Sequence, residues 1–307
     1  MLSLLTSRKS FGDRWVGHAG WNTKHDLHAR RMRLAEFAAQ VRRATGSLAA
    51  RSDAASRDLD RDGFAVLPDF LPDALFQAVS EEAEAAIRQS KAARPLGGNA
   101  VAGFGAKQPF PGGFDRWDGG TLNRFLDIST DRMPATADAI RQPALHGLTR
   151  RVVGLPHHPG KTQLYLTANG DDETNYDVQR DLHRDTFFSA MKFWLFLRPV
   201  TAADGPFTYV PGSHRLTPER LQWERRVAMR IASSGGQDPN AGGSFRIGRQ
   251  ELAGLNLPEP VACACPANTL VIANTMGLHA RGRAEPDTER LSLYGWRRPF
   301  PFGLLGR

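Results

Sequence analysis

His183-Arg184-Asp185 sets an imidazole and a carboxylate two positions apart. On an extended segment residues i and i+2 point the same way, so both side chains can reach one metal ion. A third ligand has to come from elsewhere in the chain. His279 lies 94 residues beyond Asp185 (279 − 185 = 94), a separation that only a barrel bringing distant strands together would close. Taken alone, the triplet leaves iron, zinc and chance all open. It gains weight because none of the other eight histidines, at positions 18, 25, 28, 146, 157, 158, 214 and 279, is followed two residues later by aspartate.

The neighbouring segments read as strands. Lys161-Thr162-Gln163-Leu164-Tyr165-Leu166-Thr167 alternates, with Gln163, Tyr165 and Thr167 on one face and Leu164 and Leu166 on the other. Met191-Lys192-Phe193-Trp194-Leu195-Phe196-Leu197 is a nearly continuous apolar run ended by Pro199, as in a central strand buried on both faces. Phe207-Thr208-Tyr209-Val210 is a short strand, and the turn after it, Pro211-Gly212-Ser213-His214, assigns His214 to turn chemistry ahead of ligation. Thr269-Leu270-Val271-Ile272-Ala273 is a strand leading to His279. Arg290-Leu291-Ser292-Leu293-Tyr294-Gly295-Trp296 alternates strictly, so Arg290, Ser292 and Tyr294 share one face and Leu291 and Leu293 the other. A guanidinium beside a hydroxyl makes a fork for an organic carboxylate next to the metal.

Taken together, His183-x-Asp185, Val210-Pro211-Gly212-Ser213-His214, His279 and Arg290 eleven positions later (290 − 279 = 11) resemble the phytanoyl-CoA dioxygenase family of iron(II)/2-oxoglutarate oxygenases, over residues 60–296. The resemblance implies a mainly β fold with flanking helices, a double-stranded β-helix or jelly-roll barrel. It implies that His183, Asp185 and His279 are the facial Fe(II) ligands and the catalytic centre. Arg290 would partner the distal carboxylate of the cosubstrate 2-oxoglutarate, with Ser292 assisting. Three protein ligands leave positions open on iron for O2; zinc favours a tetrahedral site, and a zinc hydrolase has no use for Arg290. Two positions depart from the family pattern. Arg184 stands where relatives often carry glutamine and is expected to point away from the metal. Arg281 stands where some relatives carry serine, which passes the proximal end of the cosubstrate to Gln163, Tyr165 and Thr167. The implied reaction couples conversion of 2-oxoglutarate to succinate with replacement of a substrate C–H by C–OH. Asp185, a small residue in halogenating relatives, points to hydroxylation. A non-catalytic barrel serving as a binding module is the competing class.

Composition sets wider limits. The 307 residues carry 40 Lys+Arg against 32 Asp+Glu, a formal charge of +8 that favours anionic partners, with no nucleic acid expected. Cys263 and Cys265, two residues apart on a strand, make a poor disulfide pair and read as reduced thiols of a cytoplasmic protein. No apolar run is long enough to cross a bilayer, and Met1-Leu2-Ser3-Leu4-Leu5 lacks a preceding basic region, so no signal peptide is expected.

Residues 1–56 read as a basic helical arm, and residues 57–307 as a jelly-roll domain with a helical and Gly-rich insertion at about 217–260. In the arm, Leu34, Phe37, Ala38 and Val41 form a helical apolar stripe flanked by arginines. Such a helix either packs on the domain or lies peripherally on an anionic inner-membrane surface, and Trp15 and Trp21 favour the interface. Residues 58–68 read as a turn into a strand, and Leu71-Pro72-Asp73 as a helix start. Residues 97–120 and 168–181 read as loops, and residues 121–151 as weak helices. Thr217-Pro218-Glu219-Arg220 starts a helix whose Arg220, Arg225, Arg226 and Arg230 form a solvated face, and residues 233–244 are a lid candidate. The basic arm and this helix favour a large anionic lipid or saccharide. In that case the chain would resemble the Kdo hydroxylases that modify the inner sugar of lipopolysaccharide; the alternatives are an acyl-CoA or a soluble secondary metabolite.

Overall fold

The alternating segments of the sequence become neighbouring strands of one sheet. The computed structural model describes residues 5–46, 53–96, 105–170, 176–235 and 237–304; the expectations for residues 1–4 and for parts of the 97–120, 168–181 and 233–244 segments lie outside them. In chain order the strands begin with β1 (Phe64–Leu67), β2 (Lys107–Phe110), β3 (Gly113–Asp118), β4 (Thr121–Asp127), β5 (Thr162–Ala168) and β6 (Met191–Phe196). They continue with β7 (Phe207–Tyr209), β8 (Val261–Ala262), β9 (Thr269–Asn274), β10 (His279–Arg281) and β11 (Glu289–Arg297). The helices are α1 (Ala19–His25), α2 (Leu27–Gly46), α3 (Ala54–Arg61), α4 (Asp73–Ala93), α5 (Pro134–Ala139), α6 (Pro143–Val153), α7 (Pro218–Ser233) and α8 (Arg249–Ala253).

One sheet runs β1-β9-β6-β11-β5-β4-β3-β2 and a second runs β10-β7-β8, every pair antiparallel. The fold is the expected double-stranded β-helix class, mainly β with helices on its flank. Strand parity decides what faces where. Leu164 and Leu166, Phe193 and Leu195, Leu270 and Ile272, and Leu291 and Leu293 face the helices and form a core with Val79, Ala83 and Ile87 of α4 and Leu148 and Val152 of α6. Each such side chain contributes roughly 1.5–3 kcal/mol by leaving water. The alternate residues, among them Tyr165, Trp194, Arg290 and Tyr294, face the opposite side and line a cavity. At Gly295 a Cβ would stand 2.3 Å from Phe193 Cε1, so only glycine lets β11 pass this close to β6.

Several segments differ from the sequence-based expectation. Residues 121–127 are a strand, although Leu122, Phe125 and Leu126 have helical spacing; Arg124 stands opposite Asp115 of β3 and pairs with it at 2.8 Å across the ladder. Residues 107–118 form the β2–β3 hairpin, with Gly112 at φ +83 in its turn. Arg220 is buried rather than solvated, because Glu224 one helical turn on and the carbonyl oxygens of Ser213 and Met276 satisfy it. Arg225, Arg226 and Arg230 are exposed as expected. On α2 the buried face includes His28, Arg31, Met32, Ala35, Ala38, Ala39 and Arg42; of the expected stripe Ala38 is buried, while Leu34 and Phe37 are 45% and 56% exposed. The face is rotated because both arginines find carbonyl acceptors, Arg31 on Thr6 and Arg8, Arg42 on Val153 and Gly303. Phe11 and Val16 share a core cluster with Trp223 and Val227 of α7, and Met32 and Ala35 of α2 pack with Phe187, Phe188 and Met276. No described helix is long and apolar enough to cross a membrane. Cys263 and Cys265 are free thiols.

Candidate active site

Two backbone hydrogen bonds bring the distant parts of the motif together: the His183 N–H donates to the His279 carbonyl at 2.9 Å, and the His279 N–H to the His183 carbonyl at 2.8 Å. As partners in this antiparallel bridge, the two imidazoles lie side by side with ring centroids 4.6 Å apart. Asp185 is fixed two residues on, its N–H donating to the Thr275 carbonyl at 2.9 Å. The ligand atoms of His183, Asp185 and His279 all lie within 4.8 Å of one another, and among the described residues no other group of three His, Cys, Asp or Glu does so.

The tautomers follow from the partners. His183 Nδ1 is 2.7 Å from the Asp181 carbonyl and His279 Nδ1 is 2.9 Å from the Gly277 carbonyl. A carbonyl only accepts, so each Nδ1 carries the proton and each Nε2 keeps its lone pair. Those lone pairs face Asp185 Oδ1, at 4.0 Å from His183 and 3.8 Å from His279. His279 Nε2 is buried and has no partner among the described residues. Lone pairs turned on a buried carboxylate repel unless a cation stands among them; cis ligands about 2.1 Å from one ion lie about 3 Å apart, so these atoms would draw in by about 1 Å around it. The geometry and the donor set therefore fit iron(II). Burial, followed by the nearby His279, pushes His183 down to about 3, so it is neutral and able to ligate at pH 7. Burial would raise Asp185, but Lys192 foremost, with Arg298, holds it well below the usual carboxylate range. Lys192 Nζ lies 2.7 Å from Oδ2, which leaves Oδ1 turned to the imidazoles.

Arg290, on β11, faces the same cavity of about 240 Å³. It is 7% exposed and its Nε has no partner among the described residues. Burial, then the neighbouring Arg281, pushes it down to about 10, so it stays charged at pH 7. A buried charge without a counter-ion costs several kcal/mol, which a ligand carboxylate would offset. Arg281 is engaged differently: it donates to Asp177 Oδ2 at 2.6 Å and to Asn123 Oδ1 at 2.8 Å.

The other expected contacts divide. Tyr165 lines the cavity, with its hydroxyl committed to Asn123 Oδ1 at 2.5 Å. Gln163 donates to Asp127 at 3.1 Å and borders a separate cavity beside Trp296. Thr167 is buried opposite Arg290, and Ser292 is buried opposite Tyr165 and Phe196; neither lines the cavity. His214 stands apart, near Gly63. Sequence reasoning passes over Lys192, Arg298 and Asn123. The signal for Lys192 is a charge in an otherwise apolar central strand, which demands a partner. Arg298 continues the parity of Arg290 and Tyr294 just past β11, and Asn123 carries no sequence signal.

A family profile described as phytanoyl-CoA dioxygenase matches residues 59–230, which include His183 and Asp185 and stop before His279 and Arg290. A search of curated proteins gives no match. Among solved structures, the chain is similar to the non-haem α-ketoglutarate-dependent epimerase SnoN from nogalamycin biosynthesis, with 18% identity over 79% of this chain and 80% of that one and a TM-score of 0.47. It is also similar to AviO1 from Streptomyces viridochromogenes Tue57, with 17% identity, 80% and 95% coverage and a TM-score of 0.45. HygX from Streptomyces hygroscopicus, solved with nickel and 2-oxoglutarate bound, gives 16% identity, 80% and 87% coverage and a TM-score of 0.44.

Proposed function

The chain belongs to the phytanoyl-CoA dioxygenase family, and from that premise we propose that His183, Asp185 and His279 hold its iron, that Arg290 binds the distal carboxylate of 2-oxoglutarate, and that the enzyme hydroxylates a C–H bond of an anionic substrate. It is a 2-oxoglutarate-dependent non-haem iron oxygenase. The observation that carries the site assignment is Arg290, a buried guanidinium whose Nε has no partner among the described residues, on the same cavity as the three-ligand cluster. When bound, iron and 2-oxoglutarate supply an oxidant derived from O2 as the cosubstrate becomes succinate and carbon dioxide. The chain's own part is to bind, orient and keep water out. Arg290 anchors the far carboxylate, Lys192 holds Asp185 to one exposed oxygen, and Trp194, Phe196, Phe207 and Tyr294 wall the cavity with apolar surface. A carboxylate at position 185 occupies the place a halide would need, which favours oxygen insertion.

Charge favours an anionic substrate. Arg116, Lys192, Arg281, Arg290 and Arg298 line the cavity against one carboxylate, Asp185. Asp118 and Asp177 pair with Arg116 and Arg281, which leaves 5 − 3 = +2. Iron(II) and the 2-oxoglutarate dianion cancel, so this excess remains for the substrate. Arg298 is the candidate anchor: its side chain is 44% exposed, and its ion pair to Asp185 Oδ2, the one it makes among the described residues, is long at 3.8 Å. At about 240 Å³ the cavity is smaller than the about 300–1,000 Å³ that a drug-sized ligand fills, so only the reacting end of the substrate enters.

The test is anaerobic titration of the iron-loaded protein with 2-oxoglutarate, followed by the visible charge-transfer band. Arg290→Ala is expected to weaken binding by about 30- to 150-fold, the loss of charge-assisted hydrogen bonds worth about 2–3 kcal/mol. Unchanged affinity would sink the assignment. Mass spectrometry of lipid and soluble extracts from cells carrying either protein then reads the substrate: a gain of one oxygen in an anionic compound, absent with Arg290→Ala, is expected. A neutral or cationic product, or one modified without added oxygen, overturns the substrate reading.

A further inference from the structure

Arg184 and Asp185 of the motif are supported from behind by a part of the chain that precedes the family match at residue 59. Arg184, between the two ligands, is fully buried. Its Nε and Nη2 donate to the two oxygens of Glu224 on α7, each at 2.8 Å, its Nη1 donates to the Gly243 carbonyl at 2.6 Å, and its guanidinium lies 3.9 Å over the Phe245 ring. Glu224 is equally buried and is a hub: besides Arg184 it receives Arg220 at 3.0 Å and His28 of α2 at 2.9 Å. Burial pushes His28 down, so it is neutral and gives its single N–H to the carboxylate through Nε2. Asp185 is held as directly. Lys9 Nζ donates to the Asp185 carbonyl at 2.7 Å and to Ser244 Oγ at 2.6 Å.

The strap that carries these groups is itself fixed. Phe11 N–H donates to the Ala241 carbonyl at 2.7 Å, and a Cβ at Gly243 would stand 2.2 Å from the Lys9 carbonyl, so the two segments touch backbone to backbone. Arg31 of α2 donates to the carbonyls of Thr6 and Arg8, both at 2.7 Å, and lies 4.2 Å over Phe187, two residues past Asp185. With its N–H on Thr275 and its carbonyl on Lys9, Asp185 has both flanking peptide planes fixed, which sets the direction of its side chain.

We propose that residues 6–31 are a clamp that positions the metal-ligand loop, with Lys9 acting on the Asp185 carbonyl and His28 acting through Glu224 on Arg184. The clamp rests on reading His183 and Asp185 as metal ligands. Lys9 and His28 are positioning residues, since neither touches the ligand atoms. A ligand loop deprived of such support must be ordered at the moment of binding, and loss of outer partners of this kind typically lowers metal affinity by about 10- to 100-fold.

The experiment titrates Co(II), a redox-stable stand-in for iron(II), into the full chain and follows its visible absorption. Lys9→Met and His28→Leu are each expected to raise the Co(II) dissociation constant about 10-fold or more. Val79→Ala, a core truncation on α4 outside residues 6–31, is the control for loss of stability alone and is expected to leave the constant within about twofold. Wild-type protein that takes up no Co(II) overturns the ligand assignment and the clamp with it. Uptake by the wild type with both variants binding equally well overturns the clamp alone. So does a matching loss in Val79→Ala, which would make the effect one of general stability. If one of the two variants does not fold, the other decides, because they reach the loop by separate routes.

Discussion

Lys192 is a cation near the start of β6, between Met191 and Phe193, both buried in the core. Its side chain is 17% exposed and Asp185 11%, so the pair they form at 2.7 Å is largely out of water. Burial works against the charge on Lys192, but Asp185 reverses that and carries its pKa upward. Removing one partner of such a pair leaves a stranded charge, at about 3–5 kcal/mol, whereas removing both is far cheaper. Metal-free Lys192→Met is accordingly expected to lose about 3 kcal/mol in urea unfolding, and Lys192→Met combined with Asp185→Asn to recover most of it. A double-mutant coupling under about 0.5 kcal/mol would refute the pairing. At this scale the sequence is most readable where chemistry is local. Two ligands at i and i+2, and an arginine at a fixed parity on an alternating strand, can be named without coordinates. Lys192 can be seen to face inward by the same parity, but its partner lies on the segment before β6 and leaves no mark in the strand itself. Glu224 is harder still: the i, i+4 spacing to Arg220 suggests a surface pair, and only the fold brings Arg184 and His28 to the same carboxylate.

Elements were readable in proportion to how far their polar residues behave as solvent-facing. β5, β6, β9 and β11 alternate or run apolar, and the fold follows them. β4 does not, because Asn123 and Arg124 are buried there and satisfied by Asp118 and Asp115, so the remaining apolar residues mimic a helix. The same effect turns α2. Treating its arginines as exposed points the helix by Leu34 and Phe37, whereas Arg31 and Arg42 are in fact capped by backbone carbonyls and face inward with Met32 and Ala35. Met32, fully buried against Phe187 and Met276, should cost about 2–5 kcal/mol when cut to alanine. Phe37→Ser, on the exposed side, is expected to stay within about 0.5 kcal/mol of the parent. Chemical denaturation of the two variants side by side decides the orientation. A Phe37→Ser loss above about 1 kcal/mol would mean that the sequence stripe, and not the structural one, is the packed face.

Over the whole molecule, acid stability divides between two kinds of group. His157 and His214 are each pushed down to about 4, first by burial and then by positive neighbours, His146, His158 and Arg297 for the one and Arg215 and Arg43 for the other, with Asp60 pulling His214 weakly back. In the unfolded chain both titrate near their ordinary value of about 6.5. Their folded values lie below that, so the unfolded state binds protons first. The stability they contribute is therefore complete above about pH 6.5 and falls as pH drops toward about 4, by up to about 1.4 kcal/mol per pH unit for each histidine. Below about 4 they add nothing further, and the loss passes to carboxylates held down in the folded state, Glu224 by Arg184 and Asp185 by Lys192, each against the opposing effect of burial. Urea unfolding of the metal-free chain and of a variant carrying both His157→Gln and His214→Gln, at steps between about pH 7 and about pH 4, separates these contributions, because the other buried histidines are common to both proteins and cancel in the difference. The variant should lose stability more slowly than the parent between about pH 6.5 and 4 and in parallel with it below about 4. Parallel curves through the upper window would show that neither histidine is held neutral by the fold.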